Sequence, residues 1–131
     1  MPIVADFQII HGVSAGVLIG DSGINPVWEQ NFHTGGRHHT GHAYLIFMVR
    51  GLTGTGPGAR VEVNEQFVGR IERHTGGDPS HWYLQTINIS GGVLNDGNNE
   101  LEVHAAVNET NNDQFDDFRL KNIFCHFQQS A

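Results

Sequence analysis

Apolar and polar residues alternate along most of the chain, and the alternation is clearest in the segment LEVHAAV at 101–107. Its odd-numbered residues are apolar, whereas Glu102 and His104 at even positions are polar. A period of two is typical of a strand that buries one face. The preceding pair Asp96-Gly97 tolerates positive φ and predicts a tight corner that leads into this strand.

The same pattern predicts further strands at 3–10, 17–19, 43–49, 59–64, 67–72, 82–89 and 118–127. Segment 43–49 is apolar on both parities, which predicts a strand buried on both faces. Segment 118–127 changes parity between Leu120 and Ile123, which predicts a bulge near Lys121-Asn122. By contrast, segment 25–41 has no period of its own and is predicted to be a long irregular connection.

About eight strands separated by polar turns indicate an all-β fold, a sandwich or a barrel. A chain of 131 residues is most simply one domain, here residues 1–131. The single cysteine, Cys125, excludes an intramolecular disulfide, and its alternation with Ile123 and Phe127 predicts a buried, inert thiol.

Charge and hydropathy narrow the choice of partners. Seven Lys and Arg residues against 14 Asp and Glu residues give a formal net charge of −7, which argues against a nucleic acid or an anionic membrane. The apolar run 43–49 is too short to span a bilayer, so no membrane insertion is expected. The N-terminal residues carry no secretory signal pattern, so we expect the chain to be cytoplasmic at synthesis, with non-classical export as the alternative.

Several segments together resemble the galactose-binding-domain-like β-sandwich, a jelly roll found in lectins and as an accessory module of glycoside hydrolases. Val63-Asn64 and Val68-Gly69 match its characteristic hairpin, although Glu65 stands where the family usually has glycine. A later turn of the family matches at Leu94, Gly97, Asn99 and Leu101. The resemblance extends over about two-thirds of the chain, residues 43–127, and implies an antiparallel sandwich that binds carbohydrate without catalysis.

Segment 32–42 holds the densest group of candidate ligand-binding side chains. These are His33, Arg37, His38, His39 and His42. His38 and His42 are candidate ligands for a late transition metal, with His33 or a carboxylate as a third donor. The alternatives are histidines solvated in a loop, or histidines that hydrogen-bond directly to an organic ligand.

Two further polar segments offer binding chemistry. Asp78, His81 and Trp82 combine an aromatic ring with groups that bind hydroxyls, as carbohydrate sites do. Trp82 also shares parity with Leu84, and the alternative is that it belongs to the core. Asp113 and Asp116 lie in an acidic segment that either binds a ligand or is simply solvated.

The sequence therefore predicts a non-catalytic module that recognises a carbohydrate or a similar polar ligand. We expect its site to be lined by the connections 25–42, 73–82 and 108–117, gathered at one end of the sandwich. A homo-oligomer is expected, because repetition of one weak site increases avidity. No cofactor is required, and the alternatives are a structural subunit of a symmetric assembly or a His-rich metal-binding protein.

Overall fold

The computed structural model of the chain describes residues 3–12, 16–20, 27–34, 42–53, 58–74, 78, 80–90, 92–105 and 117–130. Within these ranges the structure contains nine strands and no helix, so none of the described segments is a helix that could cross a bilayer. The strands are β1 (Ile3–His11), β2 (Val17–Ile19), β3 (Val27–His33), β4 (Ala43–Arg50), β5 (Ala59–Val63), β6 (Gln66–Ile71), β7 (Tyr83–Ile89), β8 (Asn98–His104) and β9 (Phe118–Ser130).

The strands form two antiparallel sheets that pack face to face. The five-stranded sheet has the order β1-β9-β4-β7, with β2 also paired to β9, and the four-stranded sheet has the order β3-β8-β5-β6. Side chains from both inner faces form one core, which includes Ile19, Leu45, Val61, Leu101 and Phe118. The predicted all-β sandwich is therefore confirmed.

Strand β3 was not predicted, because segment 25–41 reads as irregular. Its residues nevertheless alternate once they are placed: Trp28 and Phe32 point into the core, while Glu29 and Asn31 are exposed. The strand pairs with β8 along its whole length, from Val27 opposite His104 to His33 opposite Asn98. Trp28 is thereby assigned to the core, with 6% of its surface exposed.

Strand β4 corrects a second expectation. Its buried residues alternate with Tyr44, which is 40% exposed, and with the partly buried Ile46 and Met48. The apolar run is thus half inside the core and half on the outer face of the five-stranded sheet. The even positions 44, 46 and 48 of β4 belong to an apolar patch on the outer face of the sheet, and within the described residues no further layer of the fold covers that face.

The predicted bulge is present. The pairing of β4 with β9 shifts register between Ile46 and Met48, and Asn122 has a φ of 51°. At the β5–β6 hairpin, Asn64 and Glu65 both adopt positive φ, 51° and 66°. Glu65 thus occupies a left-handed conformation that glycine adopts more readily, at some cost in backbone strain.

The strand directions decide which connections share an end of the sandwich. β3 ends and β4 begins beside the β5–β6 turn and the segment that joins β7 to β8, which we call the Asn64 end. Because β4 runs antiparallel to both β7 and β9, the starts of β7 and β9 lie at the opposite end. We call this the Trp82 end.

Candidate functional site

A network of side-chain amides closes the Asn64 end. Asn99, 3% exposed, accepts hydrogen bonds at Oδ1 from the backbone N–H of Asn95 (2.7 Å) and from Asn64 Nδ2 (2.8 Å). Its own Nδ2 donates to the carbonyls of Asn95 (3.0 Å) and Gly97 (3.1 Å). Asn64 Nδ2 donates to the carbonyl of Val93 (2.8 Å), and Asn64 Oδ1 accepts from the N–H of Glu100 (2.9 Å). The two asparagines singled out by the family resemblance therefore serve the fold first.

Thr34, which is 1% exposed, extends this network to the end of β3. Its hydroxyl donates to the carbonyl of Asn95 (3.0 Å) and accepts from the N–H of Gly97 (3.0 Å), while its own N–H donates to the Gly97 carbonyl (2.9 Å). A Cβ at Gly97, whose φ is +92°, would lie 3.4 Å from His33 Nε2. The imidazole of His33 thus lies against the glycine corner that precedes β8.

On the outer side of this network lies a cavity of about 280 Å³, the asparagine cleft. It is lined by Asn31, Asn64, Asn98, Asn99 and Glu100. The amides of Asn64 and Asn99 are held by the hydrogen bonds above. Among the described residues, the side chains of Asn31 and Asn98 have no hydrogen-bond partner, and both are exposed. The cleft therefore offers amide donors and acceptors on a fixed base.

Carboxylates continue from the cleft along the outer face of the four-stranded sheet, which we call the acidic face. Glu102 on β8 lies directly opposite Glu29 on β3 and Glu62 on β5. Glu100 is the next outward residue of β8, beside the cleft. Desolvation raises the pKa of Glu100, and the neighbouring Glu102, Glu29 and Glu65 raise it further. Like charges directly opposite one another are destabilising, so this face carries an electrostatic cost.

Basic side chains contact two of these carboxylates. Arg60 Nε donates to Glu62 Oε2 at 3.0 Å, and His104 Nε2 lies 3.0 Å from the same oxygen and 3.2 Å from Glu102 Oε2. The Arg60 guanidinium also lies over the exposed ring of Phe67, 4.4 Å from its centroid, and Arg70 lies 5.6 Å from the same ring. The acidic face thus has an aromatic and cationic border on β6.

The outer face of the five-stranded sheet, which we call the aromatic face, has the opposite character. The imidazole of His126 stacks between two rings, with centroid distances of 4.9 Å to Tyr44 and 5.7 Å to Phe7. Of the five exposed large apolar residues among those described, four lie on this face. They are Phe7, Ile9, Tyr44 and Leu84.

At the Trp82 end, the indole of Trp82 lies beside two cations of the aromatic face. Lys121 Nζ is 4.3 Å and Arg50 Cζ is 5.4 Å from the ring centroid. Trp82 is only partly buried, and Leu84, which shares its parity, is exposed. The alternative that Trp82 belongs to the core is therefore wrong, because Trp82, which directly precedes β7, has the same outward parity as Leu84 on that strand.

Asp78 and His81 meet in a short turn at the same end. The carboxylate of Asp78 accepts hydrogen bonds from the Ser80 N–H (2.9 Å) and hydroxyl (2.7 Å), and these bonds are the main reason why its pKa is lowered. His81 Nε2 lies 3.6 Å from Asp78 Oδ2, with both side chains exposed. Asp78 therefore stabilises its own turn.

The structure separates the predicted site residues into two groups. His33 and His42 flank the connection at the Asn64 end, whereas Asp78, His81 and Trp82 lie at the Trp82 end. Arg37, His38, His39, Asp113 and Asp116 lie outside the described residues. The expectation of one shared rim is wrong because β3 carries the chain from one end of the sandwich to the other before the His-rich connection begins.

Sequence reasoning missed the residues that open into the cleft. Asn31 was hidden in an unrecognised strand, and Asn98 reads as part of an asparagine-rich corner. The sequence does show polar residues on both sides of Asn99, namely Asn98 and Glu100. They indicate a binding site only once the pairing of β3 with β8 places Asn31 beside them.

Comparison with solved structures confirms the two-sheet β-sandwich fold. A family 35 carbohydrate-binding module from Clostridium thermocellum superposes with a TM-score of 0.53 at 17% identity, covering 95% of this chain and 89% of that one. A β-porphyranase of glycoside hydrolase family 86 from Bacteroides plebeius gives 0.62 at 12% identity over 98% of this chain, and dimeric latent PorU from Porphyromonas gingivalis gives 0.58 at 11% identity over 98% of it.

The chain spans 21% of the length of the porphyranase chain and 13% of the length of the PorU chain. No family model and no curated protein matches the sequence. At these identities the likeness defines the fold, and the chemistry of any site has to be argued from the residues.

Proposed function

We propose that the chain is a non-catalytic carbohydrate-binding module whose ligand occupies the asparagine cleft. The observation that carries this proposal is the set of outward amides, Asn31 and Asn98, mounted on the buried Asn64–Asn99 network. The sandwich shared with the family 35 module supports the class of ligand, since that protein is a carbohydrate-binding module over nearly the same length.

The lining suits sugar hydroxyls. A hydroxyl group both donates and accepts hydrogen bonds, and an asparagine amide provides one acceptor and two donors. Hydrogen bonds already fix the side chains of Asn64 and Asn99 at the base of the cleft. These two side chains therefore lose little further conformational freedom when a ligand binds. A volume of 280 Å³ lies near the lower limit of about 300–1,000 Å³ for ligand pockets, which favours a short segment of glycan.

The charge around the cleft supports a preference among sugars. Glu100 lines it, and Glu29, Glu62 and Glu102 follow on the same face. An anionic ligand would be repelled there, so we infer a neutral or amino sugar rather than a uronate or a sulfated glycan.

Calorimetric titration with neutral, amino and sulfated oligosaccharides tests the function. We expect neutral or amino sugars to bind with micromolar to millimolar affinity and sulfated ones to bind more weakly. If the folded protein binds no oligosaccharide of any charge class, the proposed function is wrong.

A pair of matched variants tests the location. The double variant Asn31→Ala/Asn98→Ala removes the two outward amides, and at about 1 kcal/mol per hydrogen bond it should weaken binding by about 30-fold. Asn88→Ala removes an exposed amide from the outer face of β7 and should leave affinity unchanged. Equal affinity of both variants would place the ligand elsewhere on the molecule.

The aromatic face favours a second function, that of a subunit in a homo-oligomer. Four exposed apolar side chains on one sheet face form the kind of patch that a second copy could cover. Sedimentation of the protein and of Ile9→Lys/Leu84→Lys tests this alternative. A larger species that dissociates in the double variant would support assembly, and a monomer at all concentrations would remove it.

A further inference from the structure

Three potential metal ligands meet on the acidic face, away from the asparagine cleft. They are Glu62 on β5 and Glu102 and His104 on β8, and their donor atoms all lie within 4.8 Å of one another. We propose that this triad, which we call the Glu-Glu-His site, binds a divalent transition-metal ion of the zinc type. The proposal is independent of whether the chain binds carbohydrate.

The spacing of the donor atoms fits a tetrahedral site. With ligand bonds of about 2.0–2.1 Å, two donors of a tetrahedral zinc ion lie about 3.3 Å apart. His104 Nε2 is 3.0 Å from Glu62 Oε2 and 3.2 Å from Glu102 Oε2. Both distances from the imidazole are thus within a few tenths of an ångström of the tetrahedral value, and the two carboxylate donors lie within 4.8 Å of each other.

The sheet holds the donors in place. Glu62 and Glu102 are direct cross-strand partners, and His104 is the next outward residue of β8. The side chains of Glu62 and Glu102 are only 15% and 17% exposed, and that of His104 is 33% exposed. Donors on paired strands are better positioned for a metal than donors on a loop.

The surroundings are those of a supported ligand set. The Nε of Arg60 donates to Glu62 Oε2, and its guanidinium packs on Phe67, so the carboxylate is oriented by a neighbour outside the triad. Ligating carboxylates commonly have such hydrogen-bonded partners. Glu29 opposite Glu102 adds a further negative charge, which a divalent cation would offset.

The donor types select the metal. One imidazole and two carboxylates suit zinc and related ions, whereas calcium and magnesium prefer oxygen donors alone. Three protein ligands also leave a fourth position open on the solvent side, as in zinc sites that hold a water molecule. The competing explanation of the same distances is an ion-paired imidazolium between two carboxylates, with no metal.

The experiment must first remove the histidines that could bind metal elsewhere. Untagged protein carrying His33→Gln, His38→Gln, His39→Gln and His42→Gln is freed of metal with a chelator and then titrated with Zn²⁺ in a calorimeter. We expect one equivalent to bind. Absence of Zn²⁺ uptake by this folded variant would overturn the proposal.

Further substitutions in that background locate the ion. Glu102→Gln and His104→Gln each remove one donor and should weaken Zn²⁺ binding by about tenfold or more. Glu72→Gln and His126→Gln, which alter the same residue types outside the site, should leave the affinity unchanged. Circular dichroism verifies that each variant is folded. Undiminished binding by both donor variants would contradict the Glu-Glu-His site.

Discussion

The acidic face and the aromatic face lie on opposite sides of the same sandwich, and they are built from strands with the same inward alternation. One carries Glu29, Glu62, Glu100 and Glu102 on its outer side, and the other carries stacked rings and aliphatic side chains. Inward residues are constrained to be apolar because they form the common core, whereas outward residues are free to differ. The difference between the faces therefore carries information about binding that the core does not.

The two faces are also stabilised by different means. Beside the acidic face, the Asn64 end depends on partly buried hydrogen bonds between side-chain amides and the backbone. Removal of Asn99 would leave the N–H of Asn95 unsatisfied. On the aromatic face, His126, Tyr44 and Phe7 contribute through contact between partly exposed rings. Substitutions at the Asn64 end and on the aromatic face should consequently change the free energy of unfolding by different amounts.

The largest effect is expected from Asn99→Ala. The change leaves the N–H of Asn95 without its partner and removes one of the hydrogen bonds at the Asn64 amide and at the carbonyls of Asn95 and Gly97. We expect a loss of about 2–4 kcal/mol in the free energy of unfolding. Urea denaturation measures it. Asn88→Ala, at an exposed position, should cost less than about 0.5 kcal/mol. A loss below 1 kcal/mol for Asn99→Ala would mean that water replaces the network.

A smaller effect is expected from His126→Ala on the aromatic face. It removes the contacts with both Tyr44 and Phe7, and cross-strand aromatic pairs contribute about 0.5–1.5 kcal/mol. We expect a loss of about 1 kcal/mol in urea denaturation, with Thr86→Ala on the same face as a control near zero. A loss equal to that of Asn99→Ala would abolish the distinction between the Asn64 end and the aromatic face.

Electrostatic strain on the acidic face should be visible in Glu29→Gln. Neutralising the carboxylate opposite Glu102 removes a like-charge pair and should stabilise the protein by a few tenths of a kcal/mol, about 0.2–0.5. Thermal unfolding at low salt measures the gain, and about 1 M salt should abolish it by screening. Glu72→Gln provides a control outside the face. Destabilisation by Glu29→Gln would show that Glu29 has an attractive partner.

Sequence patterns predicted the core-forming alternation, the bulge at Asn122 and the hairpin at Asn64, because each of these depends on neighbouring residues. They did not predict β3, whose apolar positions are limited to Trp28 and Phe32 among polar residues. Nor did they predict the two outer faces. Glu62 and Glu102 lie 40 positions apart, and no local pattern specifies the register of β5 on β8.

The smallest effect on stability at neutral pH is expected from Cys125, which lies in the core between the two sheets. Burial raises the pKa of the Cys125 thiol to about 12, so the native thiol is protonated and unreactive, whereas the unfolded thiol ionises near its ordinary value of about 8.5. Stability from this group is therefore fully present below about pH 8.5 and is lost as pH rises toward 12.

At pH 8 we expect a thiol-specific disulfide reagent to label Cys125 only as fast as the protein unfolds. The labelling rate should therefore rise with urea, and it should rise more in Asn99→Ala than in His126→Ala. Rapid labelling of the native protein, with the same rate in both variants, would show that β9 opens without global unfolding. The core would then open locally at β9, and the two outer faces would not be supported by a core that unfolds only as a whole.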